Sequence, residues 1–168
     1  QAYVWKYMYS DVLYGLFSIP NPLGSQFWAI IGIAFICIWA DTGYCMIIYV
    51  AALQGISKDY YEAAQISGAS KWQQFWKITL KLLTPTIHFN LVMQMINGFL
   101  AFTQCLIITQ GKPMNSTLFY TVYMYQQSFL FGSTGYGAAL AWIMLALIAF
   151  ITWILFATKK LWVYDGGF

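Results

Sequence analysis

The chain has 168 residues, of which 61% are hydrophobic, 20% are aromatic and only 8% are charged. Soluble domains carry roughly a quarter charged residues, so this composition excludes an ordinary soluble domain and indicates an integral membrane protein. The formal net charge is +3, all eight basic residues are lysine and no long basic run occurs, which argues against nucleic-acid binding.

The first part of the chain is predicted to contain an interfacial segment, a loop and one membrane span. Residues 1–10 are rich in tyrosine and tryptophan, as at the end of a span or in a membrane interface. Residues 11–25 contain two prolines and two glycines, which predicts a loop. Residues 26–53 are apolar and long enough to cross a hydrocarbon core of about 30 Å.

Asp41 lies near the middle of this first span and is followed by Thr42 and Gly43. An ionisable side chain at that depth is expensive to bury, so it is a candidate for the substrate pathway. The alternative is a partly hydrated carboxylate at a helix break around Gly43, hydrogen-bonded to backbone or to a neighbouring span. The sequence leaves both interpretations open.

Residues 54–84 form a polar segment between spans. Ser57 suits a helix N-terminus, and Asp59 and Glu62 in the first turns suit the helix dipole. Gly68 is predicted to end this helix because glycine adopts positive φ. We therefore expect a short helix that ends at a sharp turn.

A second short helix is predicted to start at Ser70, with Gln73 as its capping-box partner. Its apolar face is predicted to hold Trp72, Phe75, Trp76, Thr79, Leu80 and Leu83, and another face Lys71, Gln74, Lys77 and Lys81. This pattern favours a helix in the membrane interface, with the preceding turn exposed to water. A simple amphipathic connector is the alternative.

The second span is predicted at residues 85–108, and amide side chains follow one face of it. They recur at helical spacing and face protein or water rather than lipid. They would form the wall of a pathway for hydroxyl-rich solutes, or would bond neighbouring spans. The amides are Asn90, Gln94, Asn97 and Gln104.

The rest of the chain is predicted to hold an outer loop at residues 109–134, with a helix near the tyrosines of 120–125, and a third span at residues 135–158. Six of the eight lysines fall on the side of the 54–84 loop, which places that loop and the C-terminus in the cytoplasm. His88 is the only histidine and does not predict a metal site. The three cysteines are expected to be small buried hydrophobic residues, and they do not predict a disulfide.

The segment from Glu62-Ala63-Ala64 to Gly68, followed by Ile78-x-Leu80, resembles the EAA loop of binding-protein-dependent ABC importer permeases. The resemblance is closer to their sugar branch, the maltose and glycerol-phosphate type. It extends through three later segments and covers most of the chain from about Trp39. These segments are Asn115-Ser116-Thr117-Leu118, Gly135-Tyr136-Gly137-Ala138-Ala139-Leu140-Ala141-Trp142 and Trp162-Val163-Tyr164.

The resemblance implies an all-α integral membrane protein with the helix bundle of a type I ABC importer permease. It implies a single transmembrane domain over residues 1–168, the C-terminal part of a longer permease, with about three full spans and a cytoplasmic helix–turn–helix coupling loop at 54–84. One departure is that Lys81 stands where the family usually has proline.

The resemblance also implies partners: a second permease subunit, two cytoplasmic ATPase subunits, an extracytoplasmic substrate-binding protein, membrane lipids and a sugar. Glu62, Ala63, Ala64, Gly68 and Ala69 would meet the ATPase. The sequence contains no catalytic motif, so ATP and magnesium would be bound by the ATPase, no cofactor is expected in this chain, and the chain is not expected to be an enzyme.

Three other functions remain open from the sequence. A permease for amino acids or another polar solute would share the EAA loop. An ion-coupled secondary transporter or channel would use Asp41. A membrane scaffold would use the loop to recruit a partner without transport.

Overall fold

The computed structural model describes residues 2–12 and 25–164, and all regular structure within them is helical. Three of the helices are long, and short helices lie between them. The helices are α1 (Ala2–Tyr7, followed by a π-helical turn at Met8–Val12), α2 (Gln26–Gln54), α3 (Asp59–Ile66), α4 (Lys71–Gln74, followed by a π-helical turn at Phe75–Thr79), α5 (Leu80–Phe99), α6 (Thr103–Ile108), α7 (Tyr120–Tyr125, followed by a π-helical turn at Gln126–Leu130) and α8 (Thr134–Trp162).

Three helical stretches are long and apolar enough to cross a membrane: Gln26–Gln54, Lys71–Ile108 and Thr134–Trp162. Their apolar side chains are mostly exposed at the protein surface, as with Ile47 and Trp142. An exposed apolar surface of this kind is suited to lipid or to other membrane helices. The predicted all-α membrane architecture is confirmed.

The described residues fall into two compact units, which we describe separately. Unit 1 comprises Gln1–Asp41 and Ile96–Ile148. Ile33, Cys105 and Val122 form one buried cluster in it, and Ile36 and Ile108 belong to a second cluster that includes residues of α1 and its π-helical turn. These contacts join α1, α2, α6 and α7 within the unit.

Unit 2 comprises Thr42–Met95 and Ala149–Phe168. The Tyr61 hydroxyl of α3 lies 2.9 Å from the Thr79 hydroxyl in the π-helical turn. Gln94 Nε2 lies 3.1 Å from Cys45 Sγ. His88 is buried, with its ring edge-on to Phe156 of α8 at 5.3 Å between centroids.

Two expectations for the first part of the chain need correction. Helix α2 runs without a break through Gly43, so the helix break suggested beside Asp41 is wrong. Among the described residues, no atom outside the adjoining backbone of α2 lies within 4 Å of the position that a Cβ would occupy at Gly43, and glycine inside a helix lowers its stability without ending it. Asp11 and Val12 are helical rather than loop, and residues 13–24 of the predicted loop lie outside the described residues.

The second span begins earlier than predicted. Helical structure is continuous from Lys71 through the π-helical turn to Phe99, so Pro85 lies inside a helix rather than at its start. Proline has no N–H, so the Lys81 carbonyl lacks its usual partner four residues on. The Thr84 hydroxyl donates to this carbonyl at 2.8 Å, which compensates for the missing backbone bond.

The same span is interrupted near its other end. Helix α5 ends at Phe99, residues 100–102 are not helical, and α6 starts at Thr103. The Ala101 carbonyl accepts a hydrogen bond from the Thr121 hydroxyl at 2.6 Å. A contact with α7 therefore replaces part of the helical hydrogen bonding. The prediction of one continuous helix over residues 85–108 is wrong.

Candidate functional site

The predicted coupling segment is a helix with a well-defined C-terminal turn. Gly68 has φ of +76°, in the left-handed region that favours glycine. Its N–H donates to the Gln65 carbonyl at 2.9 Å, and the Ala69 N–H donates to the Ala64 carbonyl at 2.9 Å. This pair of bonds defines a Schellman motif, so the predicted stop at Gly68 is confirmed.

The next helix starts with the predicted capping box. The Gln73 N–H donates to Ser70 Oγ at 3.3 Å, and the Ser70 N–H donates to Gln73 Oε1 at 3.0 Å. At the start of α3 the Asp59 N–H donates to Ser57 Oγ at 3.3 Å. Because its backbone groups are satisfied locally, the turn keeps its shape while remaining accessible.

The five predicted ATPase-coupling residues lie together on α3 and its turn. Glu62, Ala63 and Gly68 are exposed, and Ala64 and Ala69 are half-buried. Ile66 is 90% exposed, which is unusual for a large apolar side chain beside a polar turn. One carboxylate, small side chains and one apolar side chain therefore lie together at the protein surface.

The helix after the turn carries an exposed aromatic cluster. The Trp72 ring lies 6.1 Å from the Phe75 ring and 5.7 Å from the Trp76 ring, between centroids. Gln74 was expected on the lysine-bearing face, but its side chain is buried and its Nε2 donates to the Ala69 carbonyl at 2.9 Å. The amide faces back toward the turn because this hydrogen bond holds it there.

The amide residues of the predicted pathway have different environments. Asn90 is buried, and its side chain has no hydrogen-bond partner within the described residues. Gln94 is half-buried against Cys45, whereas Asn97 is exposed. Gln104 lies on α6, beyond the non-helical residues 100–102. Helical periodicity therefore places only the first three amides on one face.

The remaining candidate groups show no metal or disulfide chemistry in the part of the chain that the structure describes. No group of three histidine, cysteine or acidic side chains gathers there, and Cys37, Cys45 and Cys105 are free thiols. Of these, Cys105 is fully buried, whereas Cys37 and Cys45 are half-buried. Asp41 is half-buried on continuous α2.

Unit 1 contains an aromatic cavity that was not predicted from the sequence. It has a volume of about 470 Å³, and its lining includes Phe102, Tyr125 and Phe129. The Tyr125 ring lies 5.3 Å from each of the other two rings, between centroids. The four-residue spacing of Tyr125 and Phe129 could have indicated from the sequence that these two rings lie together. The position of Phe102 could not be predicted in this way, because it depends on the break in the second span.

The long apolar helices and the capped, exposed turn between two of them define a membrane-spanning helical protein. The chain belongs to the family of binding-protein-dependent transport system inner membrane components, whose family model matches residues 8–160.

Several curated proteins are similar to this chain. Probable ABC transporter permease protein YesP of Bacillus subtilis (strain 168) is 43% identical over 146 residues, which cover 86% of this chain and 46% of YesP. Probable starch degradation products transport system permease protein AmyD of Thermoanaerobacterium thermosulfurigenes is 33% identical over 172 residues, which cover 95% of this chain and 57% of AmyD. Lactose transport system permease protein LacF of Rhizobium radiobacter is 33% identical over 157 residues, which cover 90% of this chain and 53% of LacF.

The chain spans about half the length of these relatives. Among solved structures, a chain of a bacterial ABC transporter involved in the import of the acidic polysaccharide alginate has the same fold, with a TM-score of 0.76 at 21% identity. The match covers 95% of this chain and 59% of that chain.

Proposed function

We propose that this chain is part of a permease subunit of an ATP-driven carbohydrate importer. The observation that carries the proposal is exposed helix α3, with Glu62 and small residues on its surface, together with the turn that follows it, which has a Schellman motif at Gly68. A polar turn that is both accessible and locally rigid can transmit the movement of a partner to the spans that follow it.

The proposed partner at this turn is a cytoplasmic ATPase subunit. Glu62 would meet a basic group, Ala63 and Ala64 would allow close approach, and Gly68 and Ala69 would form the turn. The complete importer would contain a second permease subunit, two ATPase subunits that bind ATP and magnesium, and an extracytoplasmic substrate-binding protein. Closure of the ATPase pair would switch the permease between inward-open and outward-open states.

A carbohydrate is proposed as the substrate because the names of AmyD and LacF give starch degradation products and lactose. The amide groups of α5 support this choice, since amides both donate and accept hydrogen bonds and therefore suit hydroxyl groups without requiring charge. Asn97 is the strongest of these candidates because its side chain is exposed on this chain, whereas Asn90 is enclosed.

We propose that the protein lies in the bacterial cytoplasmic membrane and crosses it several times. The 54–84 loop and the C-terminus would face the cytoplasm. Lys58, Lys71, Lys77 and Lys81 near the loop and Lys159 and Lys160 near the end of α8 support this orientation.

The proposal is tested by purifying the protein at native expression in mild detergent and identifying by mass spectrometry what accompanies it. We expect an ATPase and a second permease, and we expect ATP-dependent uptake of a carbohydrate when the complex is reconstituted with its binding protein. Recovery of the protein alone, with uptake that survives ATP depletion and is lost when the ion gradient collapses, would instead support an ion-coupled transporter that uses Asp41.

The pathway assignment predicts a specific effect of Asn97→Leu. Loss of an amide that bonds the sugar leaves the sugar hydroxyl without its partner, so we expect the KM for uptake to rise about tenfold, as for about 1.4 kcal/mol of lost binding. ATP hydrolysis without sugar is expected to stay unchanged. The measurement is initial uptake by reconstituted vesicles over a range of sugar concentrations.

The matched control for Asn97→Leu is Met93→Leu, which exchanges two apolar side chains of similar volume one turn earlier on α5. We expect its KM to equal that of the wild type. Equal KM values for Asn97→Leu and the wild type would show that Asn97 does not contact the sugar.

A further inference from the structure

The end of α8 is attached to the start of α5 by three residues of unit 2. The Tyr164 N–H donates to Thr84 Oγ1 at 2.8 Å, and the Lys81 ammonium lies 4.6 Å from the centroid of the Tyr164 ring. The Thr84 hydroxyl also donates to the Lys81 carbonyl at 2.8 Å. Each of the three residues therefore contacts the other two, and we refer to Lys81, Thr84 and Tyr164 as the clasp.

Packing next to the clasp reinforces this attachment. His88, one turn beyond Thr84 on α5, is 5% exposed. Its ring is edge-on to Phe156 at 5.3 Å and lies 5.5 Å from the Trp162 ring, between centroids. An exposed cation–π contact by itself is weak, but here the backbone hydrogen bond and the aromatic contacts hold the same end of α8.

The coupling helix α3 is attached to the same part of the helix. The hydroxyl groups of Tyr61 and Thr79 are 2.9 Å apart, and Thr79 is buried. Thr79 precedes Lys81 by two residues in a continuous helix. The helix between Thr79 and Thr84 is therefore contacted by α3 through one hydrogen bond and by the end of α8 through the clasp.

We propose that Lys81, Thr84 and Tyr164 are positioning residues for energy coupling, because they make the end of α8 move together with the helix that leaves the coupling turn. The inference rests on the proposed function as an ATP-driven importer. One docking contact at α3 would then displace two spans rather than one.

The test uses the complete reconstituted complex and measures the sugar imported per ATP hydrolysed. In Lys81→Met, Thr84→Val and Tyr164→Leu we expect this ratio to fall about three- to tenfold, while ATP hydrolysis stays within about twofold of the wild type. Lys77→Met removes an exposed lysine one turn earlier and is expected to keep the wild-type ratio. Tyr164→Phe keeps the ring and the N–H and is expected to retain the coupling that Tyr164→Leu loses.

Hydrogen exchange of the Tyr164 amide reports on the clasp independently of transport. We expect exchange to be about tenfold faster in Thr84→Val, because valine has no oxygen to accept the Tyr164 N–H. Unchanged exchange would overturn the clasp itself. Faster exchange with a wild-type ratio of sugar to ATP would show that the clasp is structural only, which also overturns the inference.

The failure of the proposed function has a different signature. A wild-type complex that imports no sugar with ATP would contradict the importer assignment, and with it the coupling role, even if Tyr164 exchange responded as expected. A wild-type complex that imports sugar normally, together with variants that match it, would contradict only the coupling role.

Discussion

Replacement of Gly68 by valine is expected to reduce ATP-driven uptake about tenfold while leaving the complex assembled. Gly68 has φ of +76° at the end of the coupling helix. A left-handed conformation costs an ordinary L-residue roughly 1–2 kcal/mol, and a β-branched residue is especially disfavoured there. The turn would therefore reshape, and both Schellman hydrogen bonds would weaken. Uptake and ATP hydrolysis by reconstituted complexes measure the effect.

Two further variants separate the effect of backbone conformation at Gly68 from that of crowding against the proposed partner. Asparagine tolerates positive φ better than alanine, although it is larger, so we expect Gly68→Asn to retain more uptake than Gly68→Ala. The opposite order would mean that close approach of a partner, rather than φ, requires glycine. Gly43→Ala is the control, because a methyl group at Gly43 or at Gly68 would meet no neighbouring side chain of the described residues within 4 Å and Gly43 lies in a regular helix.

Replacement of Gly137 by alanine is expected to produce a large loss of stability. A Cβ at Gly137 would collide with the Ser128 hydroxyl, and would lie 2.9 Å from the Ser128 Cβ and 3.3 Å from its Cα. Overpacking of this kind costs roughly 1–3 kcal/mol. We expect the Tm of the purified protein in detergent to fall by roughly 5 °C.

The partner and the control for this prediction lie nearby. Ser128→Gly removes the colliding side chain. The double variant Gly137→Ala with Ser128→Gly should therefore have a free energy of unfolding about 1 kcal/mol higher than the sum of the two single effects predicts. Gly135→Ala places a methyl group in open space in the same helix, α8, and should leave the Tm unchanged or raise it. An equal fall in Tm for Gly135→Ala and Gly137→Ala would mean that the collision with Ser128 does not cause the loss of stability.

The parts of the fold that were predicted correctly from sequence depend on local signals. The capping box at Ser70 and Gln73 involves residues three apart, and the stop at Gly68 depends on the conformational freedom of one residue. Both ends of α2 and the start of α8 follow the limits of long apolar segments, whereas α8 continues past the predicted end at residue 158 through Lys159 and Lys160 to Trp162. In each case the physical cause lies within one or two helical turns.

The features that were not predicted depend on contacts between residues distant in sequence. Helix α5 ends at Phe99, just after Asn97-Gly98, and the Ala101 carbonyl that follows accepts a hydrogen bond from the distant Thr121 hydroxyl. Lys81 and Tyr164 are also far apart in the chain, and no periodic pattern links them. The functional roles of the coupling turn and the amides remain proposals, because they depend on partners and a substrate.

Pro85 shows how a residue that is unfavourable for a helix can serve a more distant contact. Because its backbone has no N–H, the Lys81 carbonyl is free to take the Thr84 hydroxyl hydrogen, and this bond orients the Thr84 oxygen that accepts the Tyr164 N–H. Alanine at position 85 would improve local helix propensity and restore a competing donor for that carbonyl. A substitution chosen to stabilise this helix would therefore weaken its attachment to the last span, so selection for thermal stability and selection for transport would favour different residues at this position.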